Sequence, residues 1–189
     1  VGSADEPAGM SGIAHMFEHM AFKGSDRVGT RDWEAERAAL ADVDELYGAL
    51  QLALASGDEV AIRAAREAFA EAQEQAASFV VPEEFSRLLE EAGGSATLNA
   101  STSSDETRYV VSLPKNQLEL WCWLEAERFT RPVLREFYRE REAVLEERRM
   151  RVDSSPFGVL LEELRMAAFR AHPYRVPTIG YPSDIAAYD

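Results

Sequence analysis

One five-residue stretch, His15 Met16 Phe17 Glu18 His19, constrains this chain more than any other. In a helix of 3.6 residues per turn, positions i, i+3 and i+4 share a face. The two imidazoles can therefore converge on one point while the carboxylate of Glu18 reaches into the same volume. Two neutral imidazoles at that spacing suit zinc, and a catalytic zinc keeps three protein ligands and an open position for water. A carboxylate beside such a site can accept the proton of an attacking water, as amide hydrolysis at neutral pH requires. The fold must then hold this helix rigidly and bring a partner carboxylate to it from elsewhere.

The flanks fit a buried helix. Residues 1–11 read as the end of a strand and a loop, with Ser11 as N-cap. Ile13, Met16, Phe17 and Met20 form an apolar stripe, Phe22 joins the metal face, Lys23 suits the last turn and Gly24 the position just past it.

Over 189 residues, a 46% hydrophobic content supports one domain with a sizeable core. The formal net charge of −14 disfavours nucleic acid, whose phosphates need clustered Lys and Arg, and would attract a cationic peptide. Cys122 is the only cysteine, which excludes an intrachain disulfide and is expected to be a buried thiol. No apolar run is long enough to span a bilayer.

From Trp33 to about Val80, apolar residues at helical spacing are interrupted by Ser56 Gly57 Asp58, predicting two antiparallel helices joined by a tight turn. Pro82 opens a further helix ended by Gly93 Gly94. The β-prone runs Ala96–Thr102 and Thr107–Leu113 flank Ser103 Ser104 Asp105 Glu106 and predict a hairpin. Lys115–Phe129 reads as a helix burying Leu118, Trp121, Cys122, Leu124 and Phe129. Residues 133–152 form a highly charged helix, expected to be a solvated face laced with ion pairs. Pro156–Ala171 is a final amphipathic helix, and His172 stands in a turn with a structural role. Helices flanking a hairpin give an α+β fold: a small, mostly antiparallel sheet with helices packed against it.

The carboxylates available as third ligand are Glu136, Glu140, Glu142, Glu146 and Glu147, with Glu162 and Glu163 beyond. Glu140 and Glu147 lie seven apart and share a face, whereas Glu146 is rotated by about 100° from Glu147.

The run Gly9 Met10 Ser11 Gly12 Ile13 Ala14 His15 Met16 Phe17 Glu18 His19 Met20 Ala21 Phe22 Lys23 Gly24 resembles the signature of the pitrilysin/insulinase family of zinc peptidases, the inverzincins. Their motif reverses the H-E-x-x-H order. The resemblance implies a zinc-dependent endopeptidase with one zinc ion on His15 and His19, Glu18 as the base, and peptides or unfolded protein segments as substrate. The segment Glu140–Glu147 resembles the family's second motif, implying Glu147 as the third ligand and Glu140 as a group that orients a histidine or the ligand. The run after Gly94 resembles the family's segment in which one strand pairs with extended substrate, implying substrate contacts at Asn99 and Ala100.

The interval from His19 to Glu147 exceeds the family's usual one by about the size of residues 33–80, which are therefore expected to be an inserted helical hairpin. Residues 1–189 are expected to be a single, incomplete metallopeptidase domain, the N-terminal catalytic half of a peptidase. Its second half-molecule would lie in the same longer chain or in a homologous subunit. The alternative is a non-catalytic partner or scaffold subunit of a peptidase complex, and the intact His15, Glu18, His19 and Glu147 argue against it.

Overall fold

A computed structural model describes residues 1–94 and 97–188, so Ala96 at the head of the first β-prone run lies outside the described residues. In chain order the helices and strands are α1 (Ile13–Met20), α2 (Trp33–Ser56), α3 (Glu59–Ser78), α4 (Glu84–Leu89), β1 (Asn99–Thr102) and β2 (Thr107–Val110). There follow α5 (Leu118–Thr130), α6 (Phe137–Arg148), α7 (Pro156–Ala168) and α8 (Pro182–Ala186). They make two compact units: residues 1–22, 86–122 and 137 onward form one, and 23–85 with 123–136 the other.

The second unit is built on the α2–α3 hairpin. Asp32 caps α2 by accepting from the Ala35 N–H, and Asp58 caps α3 by accepting from Val60 and Ala61 N–H. Val43, Tyr47 and Leu50 of α2 and Ile62, Ala72 and Ala76 of α3 are buried, and the rings of Tyr47 and Phe69 meet at 5.5 Å. At the base of the hairpin a charged pair is sealed in, with Arg135 1% exposed and Glu36 0%. The Arg135 guanidinium donates to Glu36 Oε1 at 2.7 Å, to Val28 O at 2.9 Å, to Ser25 O at 2.7 Å and to Lys23 O. A buried guanidinium is tolerable only when its N–H groups find such acceptors.

The first unit holds the motif helix. Its core is Met16, Met20, Val144, Ile185 and Tyr188, with Ile13, Phe137, Leu145 and Ile179 packed around it. The sheet is the expected hairpin, antiparallel with Asn99 opposite Val110 and Thr102 opposite Thr107, and among the described residues it has these two strands alone. Ser3–Asp5, expected as the end of a strand, is instead a single 3-10 turn. The N–H groups of Ser3 and Ala4 donate to the carbonyls of Ser103 and Ser104 at the hairpin's tip.

The start of α1 departs from the sequence reading. Gly12, in the left-handed region at φ 91°, occupies the N-cap position, and Ser11 does not cap. The orphan N–H groups are taken by Glu6, whose carboxylate accepts from Gly12 and Ala14, both at 2.8 Å. Burial nevertheless pushes the Glu6 carboxyl above its ordinary range, against the opposing pull of those two hydrogen bonds. Ser11 closes a clasp: its hydroxyl donates to Asp184 Oδ2 at 2.6 Å and accepts from Tyr181 N–H, and its carbonyl accepts from the Tyr188 hydroxyl. A Cβ on Gly12 would lie 2.5 Å from Ile179 O, and one on Gly180 would lie 2.2 Å from Ser11 O. Only glycine permits the two backbones to touch there. Glu6→Ala is expected to cost about 1 kcal/mol, a loss typical of a helix cap, and to lower the melting temperature by about 2–4 °C. An unchanged melting curve would mean that water replaces the carboxylate without loss.

Several burial expectations are corrected. Phe17 is 53% exposed, so α1 is not covered on nearly all sides. In α5 the inward stripe is Leu124, Glu127 and Arg128, at i, i+3 and i+4. This turns Leu118, Trp121, Cys122 and Phe129 outward, and the thiol is exposed. Nor are residues 133–152 a solvated face, because Arg135, Arg141 and Arg148 are buried on carbonyl and carboxylate acceptors. The apolar stripe of α7 is present, but none of its residues is buried, and the helix ends at Ala168. No helix among the described residues is long and apolar enough to cross a membrane.

Candidate metal centre

Packing brings the site together. On α1, Met16 and Met20 each follow a histidine by one position; on α6, Val144 sits four residues after Glu140 and three before Glu147. Burying Met16 and Met20 with Val144 in one core therefore turns His15 and His19 toward Glu140 and Glu147. One oxygen of Glu147, Oε2, lies 3.7 Å from His15 Nε2 and 3.4 Å from His19 Nε2. The three ligand atoms offered by His15, His19 and Glu147 lie within 4.8 Å of one another, the one such group of three among the described residues.

These separations fit a metal. Tetrahedral bonds of about 2.0–2.1 Å place neighbouring donor atoms about 3.3 Å apart; both histidine–carboxylate separations are already near that, and the widest of the three closes further when an ion is held. Two imidazoles and one carboxylate also make the borderline nitrogen and oxygen set that zinc accepts. The His15 Nδ1 is buried with no hydrogen-bond partner among the described residues.

The surroundings treat the two imidazoles differently. Burial pushes His15 below the ordinary histidine range, with Glu147 opposing, so it is held neutral as a metal ligand must be. His19 is held above that range, chiefly by the hydrogen bond to Glu140, whose Oε2 is 3.3 Å from His19 Nδ1. With its proton on Nδ1, His19 donates to Glu140 and turns the Nε2 lone pair toward Glu147. The other oxygen of Glu147 is paired with the exposed Arg151, one turn further along the chain.

Glu18 is engaged by a residue that sequence reasoning missed. The hydroxyl of Thr102, the last residue of β1, donates to Glu18 Oε2 and lies 3.2 Å from the Thr107 hydroxyl across the hairpin. The residue's place at the end of the predicted strand was the only signal available. Asn99 and Ala100 are on β1, and one edge of β1 pairs with β2 while the other has no strand partner among the described residues. The Phe22 ring packs at 5.9 Å from that of Tyr109 on β2.

The remaining carboxylates lie apart from this group. Glu136 pairs with Lys23, Glu146 with Arg149 and Glu162 with Arg148, while Glu142 is exposed near Arg141. His172 accepts from the Tyr174 N–H and stacks edgewise on its ring, the structural part expected of it.

Two histidines and a glutamate from two packed helices, with a further glutamate on the same turn as one histidine, make a group of side chains that could hold a metal ion. The sequence model of the insulinase family (peptidase family M16) matches residues 1–42 and 78–181, and the chain belongs to that family. It is 31% identical over 187 residues to the zinc protease PqqE of Helicobacter pylori, covering 98% of this chain and 30% of that protein. A crystal structure of a protease from Helicobacter pylori superposes with a TM-score of 0.68 at 29% identity, covering all of this chain and 33% of that one. The chain thus spans about a third of the length of these relatives.

Proposed function

We propose that this chain supplies the metal-binding part of a zinc-dependent endopeptidase that hydrolyses peptides or unfolded protein segments. The observation that carries the reading is the convergence of His15, His19 and Glu147 beside Glu18 in a chain of this family. One zinc ion held by those three side chains would polarise the scissile carbonyl and make water acidic enough to attack it. Glu18 accepts that water's proton and returns it to the leaving amine. The Thr102 hydroxyl fixes the carboxylate through one oxygen and leaves the other for the transfer. Glu140 orients His19, and the free edge of β1 at Asn99 and Ala100 takes the substrate backbone by strand addition, which is indifferent to most side chains. A second half-molecule, in the same longer chain or a homologous subunit, encloses the substrate. Metal analysis joined to a cleavage assay tests this reading. One zinc per chain, with cleavage of an unfolded protein abolished by chelation and restored by zinc, is the expected result. Zinc-free protein with undiminished cleavage would sink it.

Glu140→Gln is expected to weaken zinc binding about 10–100-fold at pH 8, as for other carboxylates that hold a ligating histidine. The deficit shrinks as the pH falls through the raised His19 range, because the same hydrogen bond that helps the metal also strengthens the competing proton. Glu146→Gln, at an exposed pair with Arg149, leaves zinc affinity unchanged. Competitive zinc titration at two pH values separates these outcomes.

The helical hairpin is an insertion in this reading, supported by the family model's skipping of residues 43–77, a shorter interval than 33–80. Its base belongs to the fold through Glu36. Replacing residues 44–75 by a short Gly/Ser linker is therefore expected to keep zinc affinity within about threefold, since loop length costs little. Loss of zinc binding in a soluble product would instead make the hairpin part of the site's support.

A further inference from the structure

Beside the metal centre the first unit contains a cavity of about 320 Å³, whose wall includes His15 and Thr102. It opens where the candidate ligand and the residue holding the base stand, so whatever fills it lies next to the reacting bond. Its lining carries three arginines, Arg151, Arg165 and Arg175, in a chain whose net charge is −14. The one carboxylate in the lining, Glu162, is already paired through both oxygens with Arg148, at 2.9 and 3.0 Å.

The arginines are not equally committed. Arg151 is spent on Glu147, and Arg175 donates one N–H to the Arg170 carbonyl. Arg165, half-buried on the last turn of α7, has no side-chain partner among the described residues. Leu161 and Phe157, one and two turns before Arg165 on the same helix, supply an apolar wall below it. A guanidinium fork over an apolar wall matches a carboxylate on a short hydrocarbon stem.

We infer that this cavity is a substrate subsite selecting an acidic side chain, glutamate or aspartate, close to the scissile bond, with Arg165 as its anchor and Arg175 in support. The inference rests on the peptidase reading for its place beside the scissile bond, but the selection itself can be measured without turnover. It also reverses, at the site, the preference for cationic peptides that the overall charge suggests.

The test uses fluorescein-labelled, C-terminally amidated peptides differing only in carrying Glu, Gln or Lys at each of the three positions on either side of a central bond. Binding to the Glu18→Gln protein is followed by anisotropy. At one position the Glu peptide is expected to bind about tenfold more tightly than the Gln peptide, as for one charge-assisted contact, and the Lys peptide more weakly still. Arg165→Gln brings the Glu and Gln peptides together, Arg165→Lys keeps part of the preference, and Arg165→Glu transfers it to the Lys peptide. Equal binding of Glu and Gln at every position overturns the subsite. So does a preference in the wild-type pocket that survives Arg165→Glu in a protein of unchanged circular dichroism. Glu-selective binding, together with no zinc-dependent cleavage of the peptides by the wild-type protein supplied with its second half-molecule, would uphold the subsite and remove the peptidase reading instead.

Discussion

Replacing Glu18 by Gln is expected to lower peptide turnover by about 10²–10⁴-fold while zinc stays bound. The amide keeps the size of the carboxylate and can still accept from the Thr102 hydroxyl, so the helix and its histidines are undisturbed. What it loses is the capacity to take a proton and give it back. Neither His15, His19 nor Glu147 is altered, and one zinc per chain remains measurable. The comparison is steady-state cleavage by wild type and variant at equal zinc occupancy, in a form of the protein that shows zinc-dependent cleavage. Wild-type turnover in the variant would remove Glu18 from the mechanism. A loss of turnover that tracks a loss of zinc would turn it from base into ligand.

Glu147→Gln is the second large effect, and it falls on the metal itself. The carboxylate brings a full negative charge to within 3.4 Å of His19 Nε2 and 3.7 Å of His15 Nε2, and a neutral amide oxygen is a far poorer donor to zinc. Affinity is expected to fall by more than about a hundredfold, beyond what loss of the Glu140 support can do. Because Arg151 pairs with the same carboxylate, Arg151→Gln provides a control: it removes that pairing and spares the ligand. Zinc titration of Glu146→Gln, Glu147→Gln and Arg151→Gln in parallel gives the ranking. A larger loss at Glu146 than at Glu147 would shift the register of α6 by one residue and overturn the ligand assignment.

Much of this arrangement was legible in the chain because it follows short periods. The i, i+3, i+4 spacing places His15, Glu18 and His19 without reference to anything distant. The seven-residue interval likewise sets Glu140 and Glu147 on one stripe, and the structure puts Val144 between them in the core. Resemblance to the second motif was needed to choose between those two glutamates, since spacing alone left both open. The hairpin too announced itself, through β-prone runs around a polar turn.

What escaped the reading depends on partners far away in sequence. Glu6 as the cap of α1 could not be told from any exposed acid, because its partners are backbone N–H groups rather than side chains. Ser11 looked like a cap by type, yet Asp184 and Tyr181 claim its hydroxyl. Arg135 was hidden in a charged run, since its burial depends on carbonyls of Lys23, Ser25 and Val28 and on Glu36. For α5, the apolar count suggested one inward face and the fold chose another, led by Leu124.

The clasp at Ser11 and Gly12 also sets an order of events during synthesis. A nascent chain that has just emitted Glu147 already contains every donor of the candidate metal centre. It lacks Ile179, Gly180, Asp184, Ile185 and Tyr188, which lock the start of α1 and complete the core beneath it. Closing a loop of that span costs entropy that those late contacts help to offset. Until they arrive, the histidines ride on an eight-residue helix too short to persist alone. On this ordering the candidate centre is expected to be complete only once this segment has been made, so that chains cut short between Glu147 and Ile179 should bind zinc more weakly than the chain that carries the clasp.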